Sequence, residues 1–173
     1  MQNTYFTTFF LFLFGIFTSV GQQENTPEFN FEDYRFPKSI VNNVDNLASS
    51  EIKTKTQSWI DSYFTENQIR NIEISENEIN ISGLANRLIS VKNLTTDVKF
   101  DVKISFRNNK YKLEIISLYY KYYTEFREVS NIKFIKDDII RKDLERSKSS
   151  FTSFFNDLNK DLHDYLMTQN SSW

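Results

Sequence analysis

Val98, Phe100, Val102, Ile104 and Phe106 alternate without a break with Lys99, Asp101, Lys103, Ser105 and Arg107. Apolar residues at a period of two share one face only if the segment is a strand. Asn108-Asn109 follows, and then Tyr111, Leu113 and Ile115 alternate with Lys112 and Glu114. Folding back through a turn at the two asparagines sets Phe106 opposite Tyr111, Ile104 opposite Leu113 and Val102 opposite Ile115. On the other face, Lys103 meets Glu114 as a pair of opposite charge. Asparagine tolerates positive φ, so a type I′ turn is expected there. The hairpin has one apolar and one polar face, and such a sheet needs helices on one side only.

The flanking sequence supplies the rest of that architecture. Ile72 and Ile74 mirror Ile79 and Ile81 about Glu76-Asn77, which predicts a second hairpin with four isoleucines on one face. Gly83 interrupts the strand that continues to about Val91, so a bulge or sharp bend is expected there. Ile40 to Val44 reads as a short first strand. Ser49 or Ser50 can cap a helix whose buried stripe is Ile52, Thr56, Trp59, Ile60 and Tyr63, with Phe64 at its margin and Asn67 as terminator. Val129 to Lys148 reads as a charged loop leading into helix around Asp137. Phe151, Phe154, Phe155, Leu158, Leu162, Tyr165 and Leu166 form one broad helical stripe. The expected fold class is therefore α+β: a mostly antiparallel sheet of about five strands with two helices on one face, in the order β-α-β-β-β-β-α.

The formal charge is −2 and both signs are spread along the chain, which disfavours a nucleic-acid binder needing a basic surface. Cysteine is absent, so no disulfide and no cysteine nucleophile is available. Tyr5 to Val20 is apolar apart from a few Thr and Ser, and no charged side chain precedes Glu24. The run ends at Ser19-Val20-Gly21, with small residues where a signal peptidase requires them, and it is shorter than the ~20 residues of a bilayer span. Residues 1–21 are read as an export signal, although its start lacks Lys and Arg and an uncleaved anchor is the rival. Cleavage would leave no membrane span, and without a cysteine to acylate the product would not be a lipoprotein. It would reside in the periplasm or outside the cell. Residues 22–38 form a polar lead carrying Phe29, Phe31, Tyr34 and Phe36, expected to lie extended against a single domain spanning 39–168, with 169–173 as a tail.

Several short segments carry a resemblance to a known family. They are Ser50-Glu51-Ile52, Lys55 and Trp59-Ile60 on the first helix, Ile81-Ser82-Gly83 in the strand after the first hairpin, and Phe106-Arg107-Asn108-Asn109-Lys110-Tyr111-Lys112. With the export signal and the element order, the chain resembles domain-of-unknown-function family 4468. Those are exported bacterial proteins assigned a fold like that of the TATA-box-binding protein. The likeness covers about Phe36 to Tyr120, and departs at Lys53, where the family often has Tyr, and at Asn109, where its turn usually carries Gly. It implies a fold and an envelope address, and it brings no catalytic or cofactor residue.

Chemistry-bearing residues are sparse. His163 is the only histidine; it stands beside Asp164, but helix neighbours diverge, and its position on the wheel points to a solvated surface residue. Asp157, Asp161 and Asp164 share a helix edge, which reads as a solvated face rather than a cation site. Asp137-Asp138 suits the start of a helix. Trp59 reads as a packed indole. No catalytic, metal or cofactor residue is assigned. The one segment suited to binding is Tyr119-Tyr120-Lys121-Tyr122-Tyr123, because exposed tyrosines offer rigid, amphipathic contact area. In an extended strand Tyr120 and Tyr122 share one face, and Tyr119 and Tyr123 the other. The expectation is an exported, non-catalytic binding module, using Tyr119, Tyr120, Tyr122 and Tyr123 on a protein or glycan of the cell envelope. A carboxylate-dependent hydrolase of envelope or extracellular glycans is the alternative.

Overall fold

The computed structural model describes residues 26–130 and 132–168. Residues 1–21, read above as an export signal, and the expected tail at 169–173 lie outside them. In chain order the elements are β1 (Lys38–Asn43), α1 (Ser49–Tyr63), β2 (Ile69–Ile74), β3 (Glu78–Val91), β4 (Leu94–Arg107), β5 (Lys110–Tyr122), β6 (Glu125–Glu128), a 3-10 turn (Ile132–Phe134), α2 (Asp138–Arg146) and α3 (Lys148–Thr168). The sheet is antiparallel throughout, in the order β1-β5-β4-β3-β2, with β6 also paired to β5.

The β4–β5 register is the one the alternation dictates: Phe106 faces Tyr111, Ile104 faces Leu113, Val102 faces Ile115 and Lys103 faces Glu114. Ile72 likewise pairs Ile81, and Ile74 pairs Ile79. The apolar face carries Val98, Phe100, Val102, Ile104, Phe106, Tyr111, Leu113 and Ile115, all buried under α1 and α3. From α1 come Ile52, Trp59 and Ile60, and from α3 Phe151, Phe155, Leu158, Leu162 and Leu166. Phe100 meets Phe154 and Phe155 at ring separations of 5.5 and 5.8 Å, so strand and helix aromatics interlock rather than stack flat. The opposite face of the sheet remains polar.

Gly83 is not the bulge. It keeps register with Phe100, and its missing side chain is what admits that ring: a Cβ there would lie 2.2 Å from Phe100 Cζ. The bulges sit elsewhere. β2 slips at Arg70, opposite Gly83 and Ser82, and β3 loops out between Ala85 and Ile89, where Arg87 takes φ 54° and its N–H bonds Asp97 Oδ1 at 3.0 Å. A third bulge, at Ile116 on β5, separates the Val102–Ile115 pair from the Asp101–Ser117 pair.

Several boundaries differ from expectation because of contacts distant in sequence. Helix α1 starts after Ala48, not at a serine cap. Glu51 accepts from the Ala48 N–H at 2.8 Å, while Asn108, from the β4–β5 turn, accepts from the Ser49 N–H at 3.0 Å. The same turn bonds Val44 and Leu47 through the Asn109 backbone, and only Asn109 has positive φ, so it is not type I′. The helix ends before Asn67, because Phe64 turns extended and enters the core. Asp137 does cap a helix, accepting from Ile139 and Ile140, but that helix is a separate α2, and β6 precedes it. Two main helices cover the sheet, and α2 is a third, shorter one.

The aromatic lead lies extended against the domain. Phe29, Phe31 and Tyr34 are buried, and Phe31 stacks 5.7 Å from Phe155. Asn156 on α3 clasps Phe29 by both its N–H and its carbonyl, at 2.6 and 3.3 Å. The Tyr34 hydroxyl donates to the Leu144 carbonyl. Beneath them Asn159, buried on α3, accepts from Asn42 Nδ2 at 2.9 Å and from the Tyr111 hydroxyl at 3.0 Å. It donates in turn to the Pro27 carbonyl at 3.1 Å. Lead, first strand, central sheet and last helix thus meet at one amide.

Candidate functional site

The bulge at Ile116 decides what the tyrosine segment presents. In phase with Ile115, residues 117, 119 and 121 would enter the core; the extra residue shifts the pleat, and Leu118 and Tyr120 enter instead. Tyr120 is 2 % exposed, and burial, partly offset by Arg127, pushes its phenol up. It is therefore a core residue and offers no contact surface. Tyr119 is half-buried on the open polar face, beneath Lys99, whose Nζ lies 4.4 Å from the ring centre.

Tyr122 and Tyr123 differ again. Tyr122, half-buried at the end of β5, has the Arg127 guanidinium 4.8 Å and Lys92 Nζ 5.8 Å from its ring centre. Lys92 belongs to the β3–β4 turn, and it also pairs with Asp137 at 2.5 Å. Asp137 first, and Tyr122 second, push its ammonium up. Tyr123 is 73 % exposed and stands edge-on to Tyr122, with ring centres 4.6 Å apart. Its φ of 56° is in the left-handed region. That conformation costs a side-chain-bearing residue about 1–2 kcal/mol and is usually left to Gly or Asn.

Two turns, β3–β4 and β5–β6, thus close one end of the sheet around a depression of 260 Å³. Its lining includes Val91, Leu94, Thr96, Asp97, Lys121 and Tyr123. Leu94 is 56 % exposed, and Phe126 is exposed on β6 opposite Lys121. Sequence reasoning missed Leu94, Lys92 and Arg127. Phe126, just beyond Thr124-Glu125, was legible as a sequel to the aromatic run; the others join through turns whose folding-back pairs distant residues.

The remaining candidates are occupied structurally. Trp59 is buried and donates from Nε1 to Asp161 Oδ1 at 2.7 Å. Asp164 bonds Lys160, and Asp157 accepts from Ser153 at 3.3 Å, so the helix-edge carboxylates do not converge on a common point. No group of three or more metal-ligating side chains occurs among the described residues. His163 is not a free surface residue: it packs against β1, with Nε2 3.2 Å from the Asn43 carbonyl. Four surface depressions are lined by one carboxylate each: Glu78, Asp143, Asp97 and Glu76. None of the four presents the facing pair that two-carboxylate glycoside hydrolysis requires. Among the described residues no helix is long and apolar enough to cross a membrane.

No family model and no curated protein matches this chain. Two solved structures do. One is a TBP-like protein from Parabacteroides distasonis ATCC 8503, 18% identical, with a TM-score of 0.60 over 79% of this chain and 94% of that one. The other is a DUF4468 family protein from Bacteroides ovatus ATCC 8483, 16% identical, with a TM-score of 0.58 over 75% of this chain and 85% of that one. The family that the residues resemble is thus represented among the structural neighbours, and neither neighbour is described by an activity or a ligand. At these identities the likeness establishes architecture: the chain has the TBP-like α+β fold.

Proposed function

We propose that this chain is an exported, non-catalytic binding module that contacts a protein of the cell envelope through the tyrosine-bearing end of its sheet. The observation that carries the reading is Tyr123, an exposed ring held in a left-handed backbone conformation. A turn selected only to connect β5 to β6 is served better by Asn or Gly, so the tyrosine persists at a cost to stability. Exposed Leu94 and Phe126 make the surroundings more apolar than a sugar platform needs, which favours a protein partner. Lys92, Lys121 and Arg127 around the rings add polar contacts at the rim. Export is supported by the apolar run at residues 1–21 and its small-residue ending. The hydrolase alternative gains no supporting observation.

Two measurements test this. Amino-terminal sequencing of the protein recovered from cells is expected to begin at Gln22, and a retained Met1 would overturn cleavage. A photo-crosslinking residue at position 123 in intact cells is expected to capture a discrete protein that the same residue at position 54, exposed on α1, does not. The variant Tyr123→Asn should lose a partner so identified while gaining stability by about 1 kcal/mol. Equal capture at both positions, or capture of glycan alone, would sink the protein-binding reading.

A further inference from the structure

The opposite end of the open sheet face carries charges that the fold leaves uncompensated. Arg107 and Lys110 stand directly across from one another where β4 turns into β5. Directly opposed side chains sit roughly 4.5–5.5 Å apart at Cβ, and like charges there repel. Among the described residues neither has an acidic partner. In the next row, Lys112 lies between Val41 and Ser105, with Glu78 beyond. One row further, the carboxylate of Glu114 is shared by Lys103 at 3.4 Å and Lys112 at 2.9 Å, so two ammonium groups divide a single negative charge. A depression of 620 Å³ opens among these side chains, lined by Arg107, Lys110, Lys112, Ser105, Asn77 and exposed Val41.

We propose that this hairpin end is a carboxylate-binding site that receives an extended acidic peptide segment. Arg107 and Lys110 supply one cationic position, with the planar guanidinium suited to a two-point bond with a carboxylate. Lys112, released from its share of Glu114, supplies the second. Rows on one face of a strand are roughly 6.6–6.8 Å apart, which is also the spacing of alternate side chains in an extended peptide. Two acidic residues separated by one other residue therefore match the two positions when the peptide runs along the strands. Ser105 and Asn77 add uncharged donors beside them, and Val41 adds apolar surface at the edge of the depression. Glu78, at the far rim, marks where the cationic positions end. The site is at the opposite end of the sheet from Tyr123 and does not depend on the role proposed there.

The test is nuclear magnetic resonance titration of the labelled protein with hexaglutamate, with succinate, and with chloride at matched ionic strength. Hexaglutamate is expected to give saturable shifts centred on Ser105, Arg107, Lys110 and Lys112, at least tenfold weaker in Arg107→Gln/Lys110→Gln. Because that variant removes a repulsion between exposed groups, its melting temperature should be no lower than that of the parent. Succinate binding as tightly as hexaglutamate would keep the site but assign it to free dicarboxylates. Shifts that do not saturate, or that weaken equally in the charge-matched control Lys133→Gln/Lys142→Gln, mean general attraction to cationic charge and overturn the proposal.

Discussion

Gly83 and Phe100 are paired across β3 and β4 so closely that the ring occupies the space of the absent side chain. The contact is with an aromatic ring locked among Phe64, Phe154 and Phe155, not with a flexible end that can swing away. Gly83→Ala must therefore displace Phe100 or bend β3, and overpacking of this kind costs about 1–3 kcal/mol. Urea denaturation should show a loss in that range with an unchanged slope. A gain in stability, the usual effect of replacing a strand glycine, would show that the ring is not so confined.

Asn159 is the second vulnerable point, because it satisfies Asn42, the Tyr111 hydroxyl and the Pro27 carbonyl together. Asn159→Leu keeps the volume but leaves buried polar groups unpaired, at a cost of about 3 kcal/mol. Limited proteolysis should then cut more readily near Pro27, since the lead loses one of its anchors on α3 while Asn156 still holds Phe29. Adding Asn42→Val removes one orphaned partner, so the double variant should be more stable than the sum of the two single losses implies. Strict additivity would mean that the amides do not act as a unit.

These residues mark where the sequence was and was not legible. The β4–β5 register could be read because Val98 to Phe106 and Tyr111 to Ile115 each alternate without a break about the asparagine turn, and a one-residue slip would turn either strand to the wrong face. The bulge at Ile116 could not, since the adjacent Ile115-Ile116 pair fits either phase, and the phase alone sends Tyr120 inward and Tyr119 outward. The cap of α1 was hidden for another reason: Asn108 lies 59 positions from the Ser49 N–H it accepts. Strand β6 has four exposed residues and no periodicity to betray it. The tyrosine-bearing end was visible as composition, but its exposed member is chosen by turn geometry.

Alkaline titration follows from the buried phenols. Burial raises both Tyr34 and Tyr111 well above their ordinary 10.0, with Glu145 and Asp164 respectively adding to the effect. Above pH 10 the unfolded chain releases these protons and the native protein does not. Their contribution to stability is therefore intact below that pH and is lost as the pH rises past it. Absorbance at 295 nm should show fewer phenols ionising in the native protein than in the unfolded chain, with Tyr34 and Tyr111 among those withheld until a cooperative step at unfolding. Tyr111→Phe should shift that step to higher pH while costing about 1 kcal/mol at neutral pH for the lost bond to Asn159.

The acid side is governed in part by Glu114, which is 7 % exposed. Burial alone would raise its carboxyl, but hydrogen bonds and charge from Lys112 and Lys103 outweigh burial and hold it below 4.5. A depressed value in the folded state means that this group stabilises above about pH 4.5, and its contribution is lost as the pH falls through the lower folded value. Glu114→Gln removes the titration and leaves two ammonium groups facing each other across the strands. The variant should thus be less stable than the parent at pH 7. The gap should narrow as the pH falls below 4.5 and the parent loses the same charge. Denaturant titrations at half-unit pH steps would read both limbs. A gap that stays constant on acidification would mean that Glu114 contributes by packing, with its charge playing no part.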